Sequence, residues 1–175
     1  MTFADTKGCP PWCAPGWAWR YRALTAVVML AVACTPESTV APRDPAELRV
    51  APTTVVVGGT ALSLDADLWR DFQPISPPNG KPLVGIVRIR SVDGASVPSS
   101  TRVVGLWVVN GDNVWTSVPR EEQQRTPGAK GFDVVARDGP KWGPGIDVDV
   151  IVGVRDGTGA VSLLRAPAQR IKRTD

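Results

Sequence analysis

Carboxylates are the side chains of this sequence best spaced to do chemistry. Asp65, Asp67 and Asp71 fall within seven residues, and Asp147 and Asp149 form a second pair. On an extended strand, residues two apart share a face and lie about 7 Å apart. Carboxylates so placed can hold a hard cation, calcium or magnesium, through oxygen. At the separation of a glycosidase pair they can serve as acid and base. Asp65, Asp67 and Asp71 are therefore candidate metal ligands, and Asp147 with Asp149 a candidate hydrolytic pair. Each set also has a plain reading as the wet face of a sheet, with Arg70 as a counter-charge for the first. The EF-hand pattern is not met, because its glycine and late glutamate are missing.

Other chemistries are closed off by composition. The chain has no histidine, which removes Ser-His-Asp and Cys-His catalysis and every histidine-ligated metal. Cys9-Pro-Pro-Trp-Cys13 offers half a zinc site, and no second pair completes it. No nucleophile elbow, Ser-x-x-Lys motif or phosphate loop occurs. No cofactor is expected. The tryptophans remain. Trp107 lies among apolar neighbours and is expected in the core, whereas Trp69, Trp115 and Trp142 adjoin turns or proline-rich stretches. Such residues stack on sugar rings, anchor a protein partner, or simply close the ends of a sandwich. The segment Leu68–Pro78 carries Trp69, Arg70 and Phe72 among rigid prolines and is the expected ligand loop.

Compartment is written near the N-terminus. Arg20 and Arg22 precede an uncharged apolar run from Ala23 to Ala33. As a helix the run measures about 16 Å, against about 30 Å of hydrocarbon, so it suits a signal-peptide core rather than a membrane span. Leu30-Ala31-Val32-Ala33-Cys34 resembles the lipobox of bacterial lipoproteins. That resemblance implies a diacylglyceryl thioether on Cys34, cleavage just before it, and attachment to a membrane by acyl chains. The family prefers leucine three places before the cysteine; here Ala31 stands there and Leu30 is one place earlier. The alternative is a secretory peptide cut after Ala33, leaving a free thiol. Thr35, rather than aspartate, follows the cysteine, which implies the outer membrane where the host has one.

Residues 1–33 thus read as leader and signal peptide, with residues 1–19 either an artefact of the assigned start or an unusually long leader. Residues 34–46 read as the lipidated cysteine and a flexible tether, and residues 47–175 as one domain. Losing Lys7, Arg20, Arg22 and Asp5 with the leader takes the formal charge from +3 to +1. Nucleic acid therefore has no electrostatic footprint to meet.

The elements that must position these residues are strands. Leu48–Val57 is rich in valine and threonine and stops at Gly58-Gly59. Ala61–Leu68, Leu83–Val92, Arg102–Val109, Val114–Val118 and Phe132–Ala136 follow, separated by turn residues such as Asn110-Gly-Asp-Asn113. From Ile146 to Val154 valines alternate with Asp147 and Asp149, which predicts Val148, Val150 and Val152 inward and the aspartates outward. Asp156-Gly-Thr-Gly159 turns the chain into Val161–Arg165. Short connections favour antiparallel pairing. The closing hairpin and Trp107 resemble immunoglobulin-like and fibronectin-type domains, without their disulfide. The expected fold is all-β, an antiparallel immunoglobulin-like β-sandwich of about eight strands. The expected function is a non-enzymatic envelope lipoprotein with a protein or glycan partner. A carbohydrate-binding module and an aspartate-based hydrolase are the alternatives.

Overall fold

The computed structural model describes Ala41 and residues 43–175. Cys34, its lipobox, the leader and residues 34–40 of the tether lie outside the described residues. The elements in order are α1 (Pro45–Arg49), β1 (Thr54–Val57), β2 (Thr60–Asp71), β3 (Leu83–Ser91), β4 (Arg102–Asn110), β5 (Asn113–Ser117), β6 (Gly131–Gly139), β7 (Asp147–Arg155) and β8 (Val161–Thr174).

The strand expected from Leu48 does not begin there, because a capped helix comes first. Asp44 is extended and its carboxylate accepts the Ala46 N–H at 2.7 Å. Pro45 takes the first helical position, where its missing N–H costs nothing. The helix ends at Val50, and β1 is left with four residues. The turns follow their dipeptides. Gly58 and Gly59 both have positive φ and join the paired Val57 and Thr60, the geometry that a two-residue hairpin requires. Gly111, also at positive φ, opens the two-residue turn between Asn110 and Asn113.

The strands form one curled sheet in the order β5-β4-β7-β8-β2-β3-β6, with β1 added to β2. Pairing is antiparallel except between β2 and β8, which run parallel from Leu68↔Ile171 to Asp71↔Thr174. The wholly antiparallel expectation is corrected at this one seam. Short connections do forbid parallel neighbours in sequence, but β2 and β8 are the first long strand and the last.

β8 joins the two halves. Its residues up to Arg170 pair with β7, and Ile171 onward with β2. It bends at a bulge, since Val148 faces Gln169 while Val150 faces Ala166. Pro167 and Ala168 therefore both oppose Asp149. Ala168 takes φ +52°, and its N–H is accepted by Asp149 Oδ1 at 3.0 Å. At the far side of the curl, Arg120 exchanges both backbone hydrogen bonds with Val135 of β6, at 2.9 and 2.7 Å.

The main core lies inside the curl. Leu62, Leu68, Val87, Ile89, Leu106, Val108, Val148, Val150, Val152 and Leu164 are among its fully enclosed side chains. The inward register predicted for β7 is the one observed, with Asp147 exposed and Asp149 half-buried. A second, smaller cluster covers the outer face of β4, β7 and β8. Trp107, Val109 and Ile151 lie there beneath Leu48 of α1 and Ala51. Trp107 is buried as expected, at 3% exposure, but on this outer face and not between the sheet halves. Its indole N–H donates to the Ala41 carbonyl at 3.2 Å, and Arg43 lies over its ring at 5.2 Å. Ordered packing thus begins ahead of residue 47.

Candidate functional site

The carboxylates of β2 share a face, but cations of the chain already occupy them. Arg88 of β3 reaches Asp65 at 3.1 Å and Asp67 at 3.7 Å, and Lys172 of β8 reaches Asp67 at 2.8 Å. Asp133 of β6 extends the ladder, 2.7 Å from Arg90 and 4.0 Å from Arg88. Asp71 is held apart by Lys81 at 2.7 Å and by the Gln73 N–H. The Lys81 hydrogen bond, first of several, draws the Asp71 carboxyl below its ordinary range. Among the described residues, no group of three or more Cys, Asp or Glu is gathered to hold a metal ion. In the second pair, Asp147 meets Arg170 at 2.8 Å, while Asp149 meets Arg165 at 3.4 Å and the bulge.

The expected ligand loop is organised from within. Arg70 is no surface counter-charge; it is 3% exposed. Residues 62, 68 and 70 of β2 point inward, and the strand runs three residues further than the expected end at Leu68. Its guanidinium donates to the carbonyls of Lys81 (3.0 Å), Lys141 (3.1 Å), Gly143 (2.8 Å) and Asn79. It therefore ties the β2–β3 loop to the β6–β7 loop, and burial draws its pKa down. Phe72 lies between Arg70, 4.9 Å from the ring centre, and Arg173, at 4.2 Å. Trp69 is half-buried in β2, opposite Val84 and Lys172. Trp115 and Trp142 are half-buried against the main core. Arg70 and Phe72 are thus brought together, while the three tryptophans stay on separate elements.

A group of adjoining clefts lies at the opposite end of the sheet, in the segments between β3 and β4 and between β5 and β6. Residues 92–101 follow β3 and residues 118–130 follow β5. The two loops are stitched together. Val97 donates its N–H to the Ala129 carbonyl at 2.9 Å, and Ser96 Oγ donates to the Gly128 carbonyl at 3.2 Å. Between them lies a cleft of about 440 Å³ lined by Ser99, Arg102, Glu121, Gln123, Gln124 and Arg125. Arg125 also lines two adjoining clefts.

Arg125 is held by Glu121 and Phe132. Its Nε and Nη2 donate to Glu121 at 2.6 and 2.7 Å, and its guanidinium stacks 3.3 Å from the centre of the Phe132 ring. Its Nη1 is buried with no partner. Thr101 Oγ1, next to Arg102 in the chain, is likewise buried and unpaired. An unmet buried donor costs about 1–3 kcal/mol, more when charged, so two such atoms in one region mark it as unusual. No protein-family model, curated protein or solved structure matches the chain.

The cleft therefore has to be read from its own groups. It offers the guanidinium of Arg102 beside the paired Arg125 and Glu121, with two amides and a hydroxyl around them. No nucleophile–base pair is present among these groups. The arrangement can bind and orient a polar ligand. The sequence signal for it was slight: Glu121 and Arg125 stand four apart, a spacing that also suits an exposed helix. Arg102 stands 19 residues before Glu121 and 23 before Arg125 and gives no local cue.

Proposed function

We propose that this chain is an envelope lipoprotein, anchored by acyl chains on Cys34, whose immunoglobulin-like domain binds a partner without catalysis. The binding face is the end formed by residues 92–101 and 118–130. The observation that carries this reading is the convergence of three clefts on Arg125, beside a buried donor left unmet. The carboxylates that suggested a metal site (Asp65, Asp67) or hydrolysis (Asp147, Asp149) are, by contrast, paired with arginine and lysine side chains.

The strand order supports the immunoglobulin-like assignment. With β2, β3 and β6 taken as A, B and E, and β4, β5, β7 and β8 as C, C′, F and G, the order is that of a Greek-key sandwich. The loops after β3 and β7 then emerge at one end, as the recognition loops of variable domains do. Two features depart from that pattern. Trp107 of β4 faces outward, and β1 is an extra strand. A sugar platform has less support, because Trp115 and Trp142 are spent on the core.

The anchor and the domain are close neighbours along the chain. Trp107 already holds Ala41, and from Cys34 to Ala41 the backbone reaches at most about 25 Å.

The test is made in a bacterial host. Acyl labelling of the wild type and of Cys34→Ser reports the anchor: label on the first only is expected, and label on both overturns it. A photo-crosslinking residue at Gln124, or at Ile75 on the other loop end, reports the face. Ile75 is 87% exposed and serves as a control. A discrete adduct from Gln124 alone is expected, and adducts from Ile75 alone, or from neither, overturn the binding face.

A further inference from the structure

Reading the 92–101/118–130 end as the binding face, we propose that its cleft takes the C-terminal carboxylate of a peptide ligand. Arg102 is exposed and lines the cleft. Its Nη1 is turned back onto the carbonyls of Ser99 and Thr101, the latter at 2.9 Å. Among the described residues its Nε and Nη2 carry no hydrogen bond. That edge of a guanidinium matches the two oxygens of a carboxylate.

The fork is also preorganised. Its loop is pinned by the Thr101 N–H to the Pro98 carbonyl at 3.0 Å and by the stitches to residues 128 and 129. A ligand therefore finds the donor already oriented and loses little to loop ordering.

The second arginine sets the charge of the ligand. Glu121 neutralises Arg125, so the cleft carries one net positive charge, from Arg102. A monoanion balances it, whereas a phosphate dianion would be left with an unpaired charge beside Glu121. Gln123 and Gln124 each bring both donors and acceptors, which suits the amide groups next to a peptide carboxylate. Arg125 Nη1 is covered, and it becomes a further donor only if the 123–126 segment shifts on binding.

The experiment uses the full chain and an acetylated tripeptide as probe, with a free C-terminal carboxylate or with a C-terminal amide, and inorganic phosphate as a third arm. Affinity is read by chemical-shift titration of the arginine side-chain N–H signals. The acid should bind at least tenfold more tightly than the amide and more tightly than phosphate. Arg102→Gln should abolish that preference with the backbone spectrum otherwise unchanged, and Arg102→Lys should restore only part of it, because an ammonium lacks the planar fork. Equal affinity for acid and amide, a preference for phosphate, no binding at millimolar probe, or an unaffected Arg102→Gln would each overturn the assignment. Should the Gln124 adduct persist while the acid shows no preference, the ligand chemistry fails and the binding face stands. Loss of that adduct fails the face itself.

Discussion

Replacing Asp149 by alanine should destabilise the domain by about 1–2 kcal/mol, whereas the same change at Asp147 should cost no more than about 0.5 kcal/mol. Both residues lie on β7 and both meet an arginine, so charge alone does not distinguish them. The difference is the bulge. Asp149 accepts the Ala168 N–H at 3.0 Å where β8 carries one residue too many, and the Asp149 carboxylate is half-buried. A hydrogen bond to a charged group contributes about 1.5–3 kcal/mol. Water can reach the exposed Ala168, which discounts the loss toward the lower end. Asp147 has only Arg170, with both side chains about half exposed, and such pairs contribute roughly 0–1 kcal/mol.

The sequence alone puts Asp149→Ala at no more than about 0.5 kcal/mol, as for any surface carboxylate, so the structure changes the expectation. Asp149→Asn keeps an acceptor and should recover about half the loss. Ala168→Gly should gain about 0.5 kcal/mol, because a left-handed alanine is strained by about 1–2 kcal/mol and glycine gives back part of that in chain entropy. Urea melts with unchanged slope read all four. Equal small losses at 147 and 149 would refute the role given to the carboxylate. A loss on Ala168→Gly would refute the strain given to the bulge.

Three further outcomes are expected. Arg70→Ala should cost about 3 kcal/mol or more, since four carbonyls lose their donor at a buried site, and Arg70→Lys should recover less than half because three donors on a flexible stem cannot span the same fork; thermal melts by circular dichroism check it. Leu48→Ala should cost about 2–3 kcal/mol and shift Trp107 emission to the red as α1 loosens over the outer cluster. Asp71, Asp93 and Asp156 all have carboxyls drawn below the ordinary value, chiefly by Lys81, by Ser91 and by Thr158. Depressed folded values mean that their stabilisation is complete above the unfolded value, about 3.9, and is lost as pH falls through the lower folded values. Urea midpoints should therefore be insensitive to these groups down to about pH 4 and fall below it, and Asp156→Asn should flatten part of that acid limb.

Strands and hairpins were legible wherever a local rule applied. Gly58-Gly59 and Asn110-Gly111 turn the chain because of their own backbone freedom, and β7 shows its inward face because Asp147 and Asp149 interrupt the valines. The face of Trp107 was not legible. β4 is apolar on both sides, so a period of two says nothing about which side faces the core. α1 was hidden by the valine-rich run behind it, although Asp44 and Pro45 are a capping signal. The β2–β8 seam and the Arg102–Arg125 cleft depend on residues distant in the chain, and no spacing within one segment encodes them. Arg70 misled for a different reason: an arginine in a proline-rich stretch reads as surface, and only the four carbonyls of two loops explain its burial.

Hydrogen exchange tests the binding face most directly. The full chain is compared in native membranes and after detergent purification that strips bound partners. Slower amide exchange in membranes is predicted within residues 92–101 and 118–130, with the 72–82 and 140–146 loops unchanged. Protection confined to those latter loops, or no difference at either end, would contradict the binding face assigned here.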